Sequence, residues 1–232
     1  MVIGQGLVAK GFSSYQADNN YLVFASGVSN SSDKDIANFE REKKLLHEII
    51  NEHADKILVY FSTCSMYDNT QKNSFYVQHK IEMEETIKKN QPHFYIFRIS
   101  NLAGKTNNPH TVLNYFIQHI LTGHFFYVWQ KASRNIIDIG DAYSICDYIL
   151  QNKLYKNEII NIANPVNYRV TTIVNEIEEY FDKKGNYELL DKESNPIIDI
   201  SPIKEIITGL NINFGAGYLK RTIKKYFSKN DI

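Results

Sequence analysis

Apolar residues along this chain recur in short runs separated by longer stretches of helical periodicity, the pattern of strands and helices taken in turn. The runs Tyr21-Leu-Val-Phe-Ala-Ser26, Ile57-Leu-Val-Tyr-Phe61 and Phe94-Tyr-Ile-Phe-Arg-Ile99 are rich in β-branched and aromatic residues and predict buried strands. Between the first two, Leu46, Ile49 and Ile50 form an apolar stripe that ends near Ala54, and Asp33 or Asp35 is placed to cap its start. Glu40, Glu42, Lys43 and Lys44 on that helix read as its solvated face. The order strand 22–26, helix 38–54, strand 57–61 is a crossover unit, so the sheet should be parallel. A second helical pattern runs from Ser74 to Lys89. Thr106-Asn-Asn-Pro109 breaks the chain. Thr111 to Leu121 then predicts a helix, Phe125 to Trp129 a short strand, and Asp141 the cap of a helix ending at Leu150. Val170 to Phe181 is a further helix, and no internal repeat or low-complexity segment interrupts the series.

Chemistry concentrates between Phe61 and Lys80. Ser62 and Thr63 follow the strand at 57–61 where it should end, and Tyr76 and Lys80 lie one turn apart on one face of the next helix. A phenol normally titrates near pH ~10, and a neighbouring ammonium favours its phenolate. Such a pair can exchange a proton with a substrate oxygen that a hydroxyl at Thr63 holds in place. Upstream, the strand stub Val2-Ile3 leads into Gly4-Gln-Gly6-Leu-Val-Ala9, the spacing of a dinucleotide-binding turn. Gly4 would permit the tight turn, Gly6 the approach of a pyrophosphate, and Ala9 the packing of helix on sheet.

A hydroxyl followed by Tyr-x-x-x-Lys resembles the catalytic set of the short-chain dehydrogenase/reductase superfamily. Phe61-Ser-Thr-Cys-Ser-Met-Tyr-Asp68 is similar to the "SS-x-x-VYG" strand end of its extended branch, the nucleotide-sugar epimerases, dehydratases and ketoreductases. Three later stretches fall in the order of that branch. Arg98-Ile-Ser-Asn101-Leu-Ala-Gly104 resembles "R-x-x-N-V-Y-G", Arg134 to Asp141 resembles "RD-[FY]-[IV]-x-V-x-D", and Ile159 to Asn164 resembles "YNIG". Asp199-Ile-Ser201 with Ile206 to Leu210 is similar to its terminal "DISKAKELLGW".

The resemblance implies an α/β fold: a Rossmann-like doubly wound parallel sheet with a small C-terminal α/β substrate lobe. Residues 1–165 would form the cofactor domain, with a substrate-lobe insertion near 105–130, and 166–232 the lobe. NAD or NADP would be the cofactor. Gly4, Gln5, Gly6, Leu7 and Val8 would meet it from the first turn, and Ala25, Ser26 and Gly27 from the end of the next strand. Ser62, Tyr76, Lys80 and Ile99 would complete its site. Thr63, Tyr76 and Lys80 would be catalytic, with Thr63, Asn101 and Arg134 on the substrate. An arginine fork suits a nucleotide-sugar pyrophosphate. A homodimer is expected through the helices after the strands at 22–26 and 57–61, the second carrying Val77, Ile81 and Met83.

One departure stands out. A full fingerprint supplies an Asp or Glu about 20 residues on, at the end of a second strand, to hold the adenosine ribose. Here Tyr21 to Ser26 ends without an acid, Asp18 precedes the run, and Leu22 to Gly27 resembles the family's fourth strand. The chain therefore reads as shortened by two strands.

Composition narrows the alternatives. With 26 basic and 26 acidic side chains the net charge is zero, so no footprint for nucleic acid or an anionic membrane is present. No apolar run approaches the ~20 residues of a membrane span and no signal peptide is recognised, so a cytoplasmic location is expected. Two cysteines are too few for a disulfide framework or a zinc site, and the 7 histidines are scattered, so no metal is expected. Within the resembling family, dehydratases carry an Asp-Glu pair after the catalytic Thr, where this chain has Cys64 and Ser65. Reduction of a keto nucleotide-sugar is the first expectation, C4 epimerisation the second, and a non-catalytic nucleotide-sugar-binding relative the third.

Overall fold

Strands and helices alternate through the computed structural model, which describes residues 1–228. The first part runs β1 (Val2–Ile3), α1 (Leu7–Gly11), β2 (Tyr21–Phe24), α2 (Ile36–Glu52), β3 (Ile57–Thr63), α3 (Phe75–Asn90) and β4 (Phe94–Ile99). Next come β5 (Asn101–Ala103), α4 (Val112–Thr122), β6 (Phe125–Asp138), α5 (Ile139–Gln151) and β7 (Ile159–Ile162). The chain ends with β8 (Asn167–Arg169), α6 (Val170–Phe181), β9 (Asn186–Ser194), α7 (Lys204–Gly209) and α8 (Tyr218–Tyr226).

Five strands form one parallel sheet in the order β1-β2-β3-β4-β7, with Val2 beside Val23, Leu22 beside Leu58 and Leu58 beside Phe94. α2 and α3 cover one face through Leu46, Ile49, Met83 and Ile87, packed on Leu22, Phe24, Tyr60 and Ile96. α1, α5 and α7 cover the other, where Phe12, Ile145, Ile149, Ile203 and Ile206 meet Val23, Val59, Phe61 and Phe97. Helices on both faces make the sheet doubly wound. β1 is its edge, so the two strands missing from the sequence pattern are missing from the sheet.

A second sheet is built around β6, which pairs in parallel with β5 and β9 and antiparallel with β8. Its core joins α4, α6 and α8 through Leu113, Ile120, Val128, Ile173, Ile177 and Ile223. Residues Ile200 to Phe214 return to pack under the first sheet.

Several elements differ from the sequence pattern. The short strand expected at Phe125–Trp129 is the start of a 14-residue strand that carries the chain through Arg134 to Asp138. Polar Gln130, Lys131, Ser133, Arg134 and Asn135 hide its continuation, which β9 and β8 hold by pairing and which leads to buried Ile136 and Ile137 beside β5. A bulge between Trp129 and Lys131 marks the change of register. Asp138, not Asp141, caps α5, accepting from Gly140 N at 2.7 Å, while Asp141 accepts from the Tyr218 hydroxyl at 2.7 Å. For α2 the cap is Asp35, which accepts from Ala37 N at 3.0 Å.

Candidate active site

A cavity of about 540 Å³ opens at the carboxyl ends of the parallel strands, the edge at which open α/β sheets place their ligands. Gln5, Gly6, Leu7 and Val8 line it from the turn after β1, and Ala25, Ser26 and Gly27 from the end of β2. Ser62, Thr63, Tyr76, Lys80 and Ile99 line it from β3, α3 and β4, and Asn101 and Arg134 from the β5–β6 side. Fold topology thus brings together residues spread over more than a hundred positions.

Gly4 lies beneath this wall. Its φ of +133° is one that only glycine adopts readily, and a Cβ there would stand 2.4 Å from the Ala25 carbonyl oxygen. Gly6 has open space where a side chain would be, so the backbone at the start of α1 faces the cavity bare. These bare turns fit a dinucleotide, whose phosphates need close approach to backbone N–H groups.

Ser74 caps α3 by accepting from Val77 N at 3.2 Å, which fixes the first turn and with it the half of Tyr76 that borders the cavity. The Lys80 ammonium lies 5.9 Å from the Tyr76 ring centre and 5.0 Å from that of Tyr60. Thr63 ends β3, and its hydroxyl oxygen accepts from Ser65 N at 3.0 Å, turning the chain sharply past the cavity.

Glu42 is the largest correction to the sequence reading. Expected on a solvated face, it is fully buried. Its Oε1 accepts from Lys80 Nζ at 2.9 Å and from the Tyr60 hydroxyl at 2.6 Å, and its Oε2 accepts from Val28 N at 2.6 Å. His79 Nε2 stands 3.1 Å from Oε2, outside hydrogen-bonding alignment, with its ring packed on Phe39. Burial alone would raise the Glu42 carboxyl, but the Lys80 charge and these contacts more than offset it and hold the group well below the ordinary carboxylate range. A signal was present in the sequence: Glu42 falls in register with Leu46, Ile49 and Ile50, inside the apolar stripe.

Other candidates divide. Arg98 does not border the cavity; it grips Glu84 through Nε at 2.9 Å and Nη2 at 2.6 Å, with Ser62 also donating to Glu84. Asn101 donates to the Asn135 carbonyl at 2.7 Å. Arg134 donates to Ser194 Oγ at 3.1 Å and lies 3.8 Å from Asp68. Asp18 accepts from Asn20 N and Tyr21 N at the amino end of β2, opposite the cavity, so it is not placed for an adenosine ribose. Cys64 donates to the Arg98 carbonyl, and burial pushes its thiol well above the ordinary value. Asp68 and Arg41 are among the lining residues that the sequence reading did not assign to the site; the guanidinium of Arg41 reaches the Ser26 carbonyl at 3.0 Å. Asp68 closes the Phe61–Asp68 motif, a signal that could have marked it, whereas Arg41 lies in no motif or apolar stripe. Among the described residues no group of three metal-ligating side chains converges, and no helix is long and apolar enough to cross a membrane.

Solved structures with this fold include dTDP-glucose 4,6-dehydratase from Bacillus anthracis in complex with NAD, 17% identical over 95% of this chain and 77% of that one, TM-score 0.68. UDP-N-acetylglucosamine 4-epimerase from Bacillus cereus is 18% identical over 97% of this chain and 84% of its own, TM-score 0.69. UDP-glucose 4-epimerase from Thermus thermophilus, complexed with NAD, is 15% identical over 93% and 79%, TM-score 0.67. No curated protein sequence matches the chain. The sequence profile of the NAD dependent epimerase/dehydratase family matches residues 6–163, which contain the glycine turn from Gly6 onward, Thr63, Tyr76, Lys80 and Arg134. With two-thirds of its length so matched and its cavity built from those residues, the chain belongs to the NAD dependent epimerase/dehydratase family.

Proposed function

We propose that the protein reduces a keto nucleotide-sugar with NADH or NADPH, at a C4-type ketone, in the synthesis of cell-surface polysaccharide sugars. The observation that carries this reading is the convergence of Thr63, Tyr76 and Lys80 on one cavity with the bare glycine turn. The bound nicotinamide cofactor supplies or accepts hydride. Tyr76 gives its phenolic proton to the oxygen of the reduced carbonyl, Thr63 orients that oxygen through its hydroxyl, and Lys80 presents a fixed positive charge beside both. Arg134 and Asn101 would hold the nucleotide-sugar. Substrate class follows from the named substrates of the solved relatives, which are nucleotide-sugars.

Loss of water from the sugar is disfavoured by the residues after Thr63. Cys64 turns its thiol toward β4, and Ser65 Oγ accepts from the Thr63 hydroxyl at 3.0 Å, so neither place offers an acid. C4 epimerisation uses the same three residues and is the second reading, supported by 4-epimerases that share this fold. In either reading residues 1–165 hold the cofactor, with 105–130 and 166–232 toward the substrate, and the enzyme works in the cytoplasm as a homodimer. The test is oxidation of NADH and NADPH against a panel of keto nucleotide-sugars. Net oxidation with one substrate supports reduction, interconversion of sugar epimers without net oxidation supports epimerisation, and neither activity with any panel member overturns both.

A further inference from the structure

Lys80 is 2% exposed, and an ammonium removed from water to that degree is disfavoured unless a counter-charge is built beside it. The counter-charge is Glu42, which arrives from a different helix and is fully buried itself. Two of the three N–H donors of Lys80 are committed, one to Glu42 Oε1 at 2.9 Å and one to the Tyr60 hydroxyl at 3.1 Å. Tyr60 in turn donates to the same carboxylate oxygen, and Val28 N fixes the other. Gly27 completes the arrangement: a Cβ there would meet Lys80 Nζ at 2.5 Å and Glu42 Oε1 at 2.9 Å, so the pair occupies the space a side chain would take. We propose that Glu42 is a positioning residue for Lys80, anchoring its ammonium at the cavity wall and keeping it charged while the third N–H serves the bound dinucleotide.

This inference rests on the reading that Lys80 meets the cofactor, and it assigns the lysine's charged state to a residue outside the Thr63, Tyr76, Lys80 set. The ionisable groups facing Lys80 are Glu42 from α2, Tyr60 from β3 and Tyr76 from α3, and His79 stands beside the other carboxylate oxygen of Glu42. Glu84, one turn further along α3, is engaged by Arg98. Among the described residues Glu42 is therefore the one carboxylate in contact with the ammonium.

The experiment uses NADH as probe, titrated by fluorescence from about pH 6.5 to about pH 10 against the wild-type protein, Glu42→Gln and Lys80→Met. Glu42→Gln keeps the shape and removes the charge. Without the carboxylate, burial favours the neutral amine, so the affinity for NADH should fall off at a pH lower by about one unit or more than in the wild type. The fall should be about tenfold, the worth of one charged hydrogen bond. Lys80→Met should bind weakly with a flat profile. A role confined to packing would weaken Glu42→Gln equally at every pH and leave the limb where it was, and that outcome overturns the proposal. If Glu42→Gln does not fold, Glu42→Asp keeps the charge one methylene further back, and its limb must lie below that of the wild type. A wild-type protein that binds no NADH at any pH fails the cofactor reading itself, and this inference with it. A wild type that binds NADH with superimposable limbs in both variants fails the inference alone.

Discussion

The Ser194 hydroxyl donates to Asp68 Oδ2 at 2.7 Å, joining the end of β9 to the turn after β3 across 126 positions of sequence. It is a direct bond between the second sheet and the turn that borders the cavity. Thr70 donates to Oδ1 from both its amide and its hydroxyl, and Arg134 stands 3.8 Å from Oδ2. Burial alone would raise the Asp68 carboxyl, but the Ser194 and Thr70 hydrogen bonds and the Arg134 charge outweigh it and depress the group. A carboxyl depressed on folding stabilises above its unfolded pKa, near ~3.9, and that contribution is lost as pH falls through the folded value. Asp68→Asn should therefore melt roughly 4–10 °C lower at pH 7, with the difference from the wild type shrinking below about pH 4. Thermal melts across pH check this; a difference independent of pH would refute the charge-based account.

Tyr76→Phe keeps the ring of a residue packed beside Val28, Phe39 and Val77 and removes only the proton donor. Turnover with the keto nucleotide-sugar that the panel selects should fall by ~10²–10⁴ while NADH affinity changes little. Steady-state kinetics with a cofactor titration measure both. Near wild-type turnover would remove Tyr76 from the mechanism.

Cofactor selectivity follows from the open edge of the sheet. Among the described residues β1 has no further strand beside it, and Asp18 lies at the opposite end of β2, so neither offers a carboxylate to the adenosine ribose. Loss of such a charged hydrogen bond, worth roughly 1.5–3 kcal/mol, weakens binding by about ten- to a hundredfold. It also removes the repulsion that excludes a 2′-phosphate. NADH and NADPH should bind weakly and with similar dissociation constants; tight, NADH-selective binding in parallel titrations would contradict this.

Self-association is expected through α2 and α3, but the apolar surface expected to drive it is partly used within the subunit. Val77 and Met83 are fully buried, and Lys43 of α2 pairs with Glu82 of α3 at 2.6 Å. What remains outside is Ile36 and Phe75, 68% and 64% exposed at the starts of the two helices. Sedimentation should give a dimer at micromolar concentration, weakened in Phe75→Lys. A monomeric mass for the wild type excludes the interface.

Much of this molecule was legible along the chain. The strands at 21–24, 57–63 and 94–99 and the helices at 170–181 and 75–90 follow from hydrophobic period and run length, which are local properties, while the gap between the first and second strands was legible through the resemblance of Leu22 to Gly27 to a later strand of the family. So do the catalytic candidates, because a strand end and a helical spacing of four put Thr63, Tyr76 and Lys80 in a recognisable series. Tertiary structure decided what depends on partners distant in sequence. β6 is long because β9 and β8 hold its polar stretch and β5 its end, and Asp138 rather than Asp141 caps α5 because Asp141 is engaged by the distant Tyr218 hydroxyl while Asp138 stands where the strand ends. Arg98, which resembles a site residue, is consumed by Glu84. Glu42, which resembles a surface residue, holds the Lys80 ammonium instead. A carboxylate reads as solvated in a sequence because burying it alone is costly. Only the folded chain reveals the ammonium, hydroxyl and amide that together remove the cost.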